Sequence, residues 1–144
     1  MAQYETTSET TRRLLHPLRT SAGAWTVEIF GYLLLVEGAA IVIAPHGVAL
    51  LLGLPEFSVA AATYFRLVGL LISGLGLLYS VSGRLNAQGF VFASLLDRPL
   101  VPFVMLGLWY LALCPAVLAA GFALQDFCSF LWTLWGWRKD RRAG

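Results

Sequence analysis

Charge is what this sequence has least of. Asp, Glu, Lys and Arg make up 12% of its 144 residues, whereas a soluble domain carries about a quarter. With 58% of the chain hydrophobic, there is too little polar surface to clothe a water-soluble fold, and a second, soluble domain does not fit. The net charge is only +2, and the arginines cluster at the ends of apolar segments. A nucleic-acid partner is therefore excluded, because it calls for a basic stripe along an exposed face. Histidine and cysteine are rarer still, with two of each. Cys114 falls near the outer end of one apolar segment and Cys128 near the middle of the next, at depths too different for an easy disulfide. No His/Cys cluster stands beside them, so neither a metal site nor a cofactor is expected. HExxH, CxxC and GxSxG are absent, and no spacing brings a serine, a histidine and an aspartate together. Gly69, Gly74 and Gly76 are not a nucleotide fingerprint, since no βαβ unit surrounds them. There is no internal repeat and no low-complexity stretch.

The start of the chain also lacks something. Residues 1–22 are polar and include Glu5, Glu9, Arg12, Arg13 and Arg19. A cleaved signal peptide places an apolar core nearer the start, and a mitochondrial presequence avoids acidic residues. Arg12-Arg13 reads as a basic flank rather than a twin-arginine signal, so the first apolar segment is expected to be retained. Leu14, Leu15 and Leu18 give this otherwise disordered tail a way to lie on a membrane interface.

What the sequence has is long apolar runs. Residues 24–44, AWTVEIFGYLLLVEGAAIVIA, can cross a bilayer as a helix, for which roughly 20 residues suffice. Pro45 disfavours a helical conformation at Ala44, and His46-Gly47 favours a turn. The next run, VALLLGLPEFSVAAA, is broken by Gly53 and Pro55 and predicts an interfacial or shallow re-entrant piece. A second helix is expected over about 60–81. Residues 82–98, which carry Arg84, Asn86, Gln88, Asp97 and Arg98, read as a surface segment whose Phe90, Phe92, Leu95 and Leu96 rest on the membrane. A third helix is expected over about 97–114, with Pro99 in its first turn and Asp97 as a cap. A tight hairpin at Pro115 leads to a fourth helix over about 117–137, and residues 138–144 form a basic tail. The fold class is all-α: a polytopic membrane four-helix bundle with a domain at 23–137. The two tails and the segment between the second and third helices hold every basic residue except Arg66, so both termini are expected in the cytosol. Trp25, Trp132, Trp135 and Trp137 then lie toward the inner interface, and Trp109 and Tyr110 toward the outer one.

Against this apolar background the intramembrane charges stand out. Glu37 lies just past the midpoint of the first helix, where a bare carboxylate costs at least a few kcal/mol. Arg66, on the second helix, is expected at nearly the same depth. The two either form a structural ion pair, or Arg66 is a clamp for an anion or carbonyl while Glu37 donates or accepts a proton. At 100° per residue Arg66, Gly69, Ser73, Gly76 and Ser80 share one face, whose small residues suit close helix packing. Asp126, Ser129 and Thr133 share a face of the fourth helix, with Gln125 beside it. Asp126 has no cationic partner evident at its level, so hydrogen bonds from Ser73 or water are the alternatives to its being protonated. Glu28 points away from Glu37 and is expected to meet Arg19, Arg98 or the inner interface. His46 is expected to be a turn residue.

The Pro45 turn, Arg66-Leu67-Val68-Gly69 opening a glycine-rich helix, Asp97-Arg98 before the third helix, and Asp126 with Trp132-Thr133 make the layout resemble small four-helix membrane proteins of the DoxX-like and unassigned-domain type. The resemblance covers roughly residues 25–137 and implies a fold more than an activity. Two functions of different kinds follow. In the first, an intrabundle polar pocket binds a lipophilic biosynthetic intermediate and converts it by isomerisation, cyclisation or oxidation. Glu37 and Asp126 are then the catalytic candidates, and Arg66, Ser73 and Ser129 contact the substrate. In the second, the protein is a non-catalytic accessory or assembly subunit with structural intramembrane ion pairs, whose partners are another membrane protein or further copies of itself. A proton or ion conductor needs a continuous polar file, for which the charges are too sparse.

Overall fold

The computed structural model describes residues 6–16 and 21–143, and among these the only regular elements are helices: α1 (Thr7–Leu15), α2 (Ala22–Ile43), α3 (Pro45–Leu51), α4 (Val59–Arg84), α5 (Gln88–Asp97), α6 (Leu100–Tyr110) and α7 (Ala116–Ala143). Leu18 and Arg19 lie outside the described residues. Four stretches are long and apolar enough to cross a membrane: Ala22–Ile43, Val59–Arg84, Gln88–Tyr110 and Ala116–Arg142. Leu67, Leu70, Leu71, Leu77 and Leu78 of α4 are exposed, as are Phe103, Val104 and Leu106 of α6. Faces this apolar need lipid as their solvent, and the whole is the pattern of a multi-pass membrane protein.

The third of these spans departs from the sequence expectation. Residues 88–97 are helical, run on into α6, and belong to the stretch 88–110 that is long and apolar enough to cross a membrane. Arg98 and Pro99 interrupt the hydrogen bonding without turning the chain, since both keep right-handed helical angles (φ −57°, ψ −39° and φ −63°, ψ −20°). Pro99 has no N–H for the Leu95 carbonyl, and Pro102 has none for that of Arg98, which accepts instead from Val101 N at 3.2 Å. Asp97 ends α5 and is exposed, without a capping bond.

Helices α2 and α4 make the most extensive contact, and small residues set their separation. A Cβ built on Gly76 would stand 2.7 Å from Leu35 N and 2.8 Å from the Gly31 carbonyl, and one on Gly69 would stand 2.8 Å from the Gly38 carbonyl. Backbone therefore meets backbone, the approach that stripes of small residues permit where lipid leaves packing as the main attraction. The core lies on the α2 side of this crossing, where Ala24, Val27, Phe30 and Leu34 meet Tyr79 and Val91.

One end of the molecule is pinned by polar contacts. Asp140, on α7, accepts from Ala22 N at 2.9 Å and Gly23 N at 2.8 Å, so one helix caps the start of another and places a carboxylate at its positive end. Asn86, in the left-handed region at φ 57°, accepts from Ser21 N at 3.2 Å and from Gln88 Nε2 at 2.8 Å. Arg84 pairs with Glu28 at 3.3 Å and donates from Nε to the Leu14 carbonyl, which anchors α1. At the other end α3 follows Pro45 directly, and Pro115 precedes α7 after a turn in which Ala112 takes φ 56°.

In α1 the Thr6 N–H donates to Glu9 Oε2 at 3.1 Å and the Thr6 hydroxyl at 3.0 Å. These bonds, the backbone one first, hold the Glu9 carboxyl below its ordinary 4.5. A carboxyl lowered by folding stabilises the helix fully above its unfolded value and loses that contribution as pH falls through the folded value. On acidification from pH 6, α1 is expected to fray below about pH 4.5, and Glu9→Gln should remove that pH dependence, both read from Cα chemical shifts. At the α2–α4 crossing, Gly76→Val is expected to cost about 1–3 kcal/mol in thermal unfolding in detergent. Gly74→Ala, on the same helix with nothing within 4 Å, should be neutral or slightly stabilising.

Candidate functional site

The largest fully buried side chain among the described residues is that of Arg98, at 0% exposure. It sits at the break between α5 and α6, and the helical backbone on either side aims it inward, between α2, α4 and α7. Its Nη1 donates to the Thr133 hydroxyl at 2.8 Å and to the Ser129 carbonyl at 3.2 Å. Its guanidinium carbon lies 4.0 Å from the Phe30 ring centroid and 5.1 Å from that of Tyr79. Aromatic faces hold a desolvated cation with about 2 kcal/mol or more. Nε and Nη2 are buried with no hydrogen-bond partner among the described residues.

Thr133 extends the network. Its hydroxyl oxygen lies 3.0 Å from Thr26 Oγ1, and the Thr26 hydroxyl also reaches the Gly23 carbonyl at 2.7 Å. Thr133 Oγ1 accepts from Arg98 Nη1 and from the Thr26 hydroxyl, whose single proton is shared between Thr133 and the Gly23 carbonyl. Thr26 and Thr133 are essentially buried, at 1% and 0%, so the chain replaces the water these groups have lost.

The residues expected to form one site fall into separate places. Glu37 is half-buried and accepts from Gln125 Nε2 at 3.0 Å. The two stand on the wall of a cleft of about 210 Å³ whose other lining, Ala40, Ile41, Val48, Leu52, Ile72, Gly121 and Phe122, is apolar. Arg66 does not join it: it is exposed and donates from Nε to the Val42 carbonyl at 3.2 Å, where a cation complements the C-terminal end of α2. The Arg66–Glu37 pair is therefore not formed. Ser73 lies at the α2–α4 crossing beside Gly38. Ser129 is buried, donates to the Asp126 carbonyl at 2.9 Å and offers its own carbonyl to Arg98. Asp126, one turn from Ser129 on the same face of α7, is half-buried, and its carboxylate makes no hydrogen bond or ion pair with a described residue.

The Glu28 carboxylate meets Arg84 and accepts from the Tyr32 hydroxyl at 2.8 Å. His46, expected in a turn, is instead the second residue of α3, after Pro45, and stacks obliquely on Phe57, with ring centroids 6.4 Å apart. Among the described residues no group of three or more His, Cys, Asp or Glu side chains could hold a metal, and both cysteines are free.

No protein-family model, no curated protein and no solved structure matches this chain. Function has to be argued from the chemistry of the site alone.

Two residues that matter here were not evident from the sequence. Arg98 beside a proline looked like the end of a surface segment, although the apolar run from 88 to 110 was broken only by Asp97 and Arg98 and had the length of a span. Asp140, the one acid in a basic tail, was such a signal too. Arg98→Ala is expected to lower unfolding stability in mixed micelles by about 3 kcal/mol, through the cavity and the lost ring contacts. Thr133→Val, which strands the Arg98 donor, is expected to cost about 1–2 kcal/mol.

Proposed function

We propose that this protein binds a lipophilic molecule in the cleft between α2, α3, α4 and α7, with Glu37 and Gln125 as its polar anchor. The observation that carries the reading is a half-buried carboxylate with one hydrogen-bond partner on the wall of an otherwise apolar cleft. A cleft of about 210 Å³ is smaller than the usual 300–1,000 Å³ of a drug-sized site. It suits a ring or a short branched chain, with the rest of the ligand lying in lipid. Glu37 and Gln125 together offer an acceptor and donors, the recognition set for a hydroxyl or carbonyl head group. Glu37 is the one titratable side chain among the lining residues, so any isomerisation or cyclisation of the ligand would pass a proton through it.

In this reading the four apolar helices form a transmembrane bundle of the DoxX-like layout with both termini in the cytosol. Supporting that orientation, Arg84, Arg138, Lys139, Arg141 and Arg142 lie at the end where α2 starts and α4 and α7 finish, and the connections at the opposite end hold no basic residue.

A second reading, a non-catalytic accessory subunit, draws its support from the closed pairing of Glu28 with Arg84 and the enclosure of Arg98. The two separate in one experiment: purification of wild type, Glu37→Gln and Gln125→Leu in mild detergent, with mass spectrometry of co-purifying lipophilic molecules and thermal stability read together. The binding reading expects a molecule in the wild type that drops at least about tenfold in both variants, a loss of about 1.4 kcal/mol in binding, with stability preserved. No co-purifying molecule in the wild type, together with destabilised variants, would assign Glu37 and Gln125 to structure and leave the accessory reading.

A further inference from the structure

Helix α7 finishes with a basic face that no described residue neutralises. Arg138, Lys139 and Arg142 are exposed and line a shallow cavity of about 390 Å³ with Leu131, Leu134 and Trp135. At 100° per residue these six side chains occupy less than half of the helix circumference. The leucines lie toward the apolar part of α7 and the cations toward its end. Asp140, the one acid in this stretch, projects from the opposite side, and both its oxygens are taken by the Ala22 and Gly23 amides. Neither Arg138 nor Arg142 has a carboxylate within ion-pair distance among the described residues. Lys139 Nζ lies 5.4 Å from the Trp135 ring centroid, so the tryptophan forms a wall of the cavity. Arg141 lies off this face, 4.6 Å from the centroid of Trp137.

We propose that this face of α7 is a binding site for the headgroup of an anionic phospholipid such as phosphatidylglycerol. The forked guanidinium donors of Arg138 and Arg142 suit phosphate oxygens, Lys139 adds a third positive charge, and Trp135 occupies the depth at which aromatic side chains favour the headgroup layer. The acyl chains continue along Leu134 and Leu131. A soluble anion explains the cations but not the leucines and the tryptophan that continue the same cavity into the apolar zone, which is why the occupant is a lipid. The proposal depends on α7 crossing a membrane and is independent of any ligand at Glu37.

The test is lipid titration of the full-length protein in detergent, followed by native mass spectrometry, with phosphatidylglycerol and phosphatidylcholine compared. Wild type, R138Q/R142Q and the charge-matched control R12Q/R141Q are measured side by side. Juxtamembrane basic residues contribute about fivefold each to the affinity for anionic lipid. The wild type is therefore expected to prefer phosphatidylglycerol by tenfold or more, R138Q/R142Q to lose about 25-fold, and the control to stay within about twofold, since its charges lie outside the cavity. All four arginines are exposed, so thermal stability should be unchanged in both variants. Equal losses in the two double variants would reduce the effect to net charge and overturn the site. Binding of phosphatidylcholine as tight as that of phosphatidylglycerol would overturn it as well. Displacement of the lipid by millimolar inorganic phosphate would assign the cavity to a soluble anion and overturn the lipid proposal.

Discussion

The structure depends on how it houses one guanidinium. Arg98 arrives at the centre of the packing because Pro99 and Pro102 interrupt the hydrogen bonds of the third span without ending its helical course. Once inside, it contacts all three of the other long helices. Phe30 belongs to α2, Tyr79 to α4, and Ser129 with Thr133 to α7. An isolated cation in a low-dielectric interior is expensive, and this one is made tolerable by two aromatic faces, the Thr133 hydroxyl and the Ser129 carbonyl. Lipid solvates apolar side chains as well as a protein core does, so helix association cannot rely on hiding leucine. A shared polar group supplies a reason for the helices to keep one arrangement.

The α2–α4 crossing works by the other available means. Gly31, Gly38, Gly69 and Gly76 remove side chains from the contact, so the two backbones come close and dispersion between them replaces the missing hydrophobic drive. The leucines of α4 are left outside, the reverse of a soluble helix. This explains why the core is small and crowded to one side. It is built by Ala24, Val27, Phe30, Leu34, Tyr79 and Val91 around the arginine and not by the large aliphatic residues that dominate the composition.

The helical fold was readable because length and apolarity report directly on membrane crossing. The first, second and fourth long helices follow from uninterrupted runs and from the breaks at Pro45 and Pro115. The third was harder, since a charged pair before a proline looks the same in sequence whether it closes a surface loop or sits within one long helical stretch. Only the packing of Arg98 against Thr133 and Ser129 separates the two. The site was readable in its members and not in its grouping. Glu37 and Asp126 stood out by cost alone, and the small-residue face of the second helix by periodicity. Which partner each charge finds depends on rotations and tilts that no one-dimensional pattern carries. Arg66 thus went to the Val42 carbonyl and Glu37 to Gln125. For Glu28, Arg84 is the observed partner, while Arg19 lies outside the described residues.

The polar groups of the interior differ in what they can still do. Glu28 and Arg84 neutralise each other, and Asp140 spends both oxygens on a helix start. These two arrangements are closed, and a closed arrangement holds structure, whereas Arg98 keeps Nε and Nη2 buried and unpaired among the described residues. Glu37 differs because a single amide engages its carboxylate while an apolar cleft opens beside it. A carboxylate in that position has acceptor capacity left and an apolar cleft of about 210 Å³ beside it. Asp126, next to Gln125 in sequence and one turn from the Ser129 carbonyl that Arg98 grips, stands between the open and the closed parts. Glu37, held by Gln125, and Arg98, held by the Ser129 carbonyl, thus take their partners from residues about one turn apart on α7.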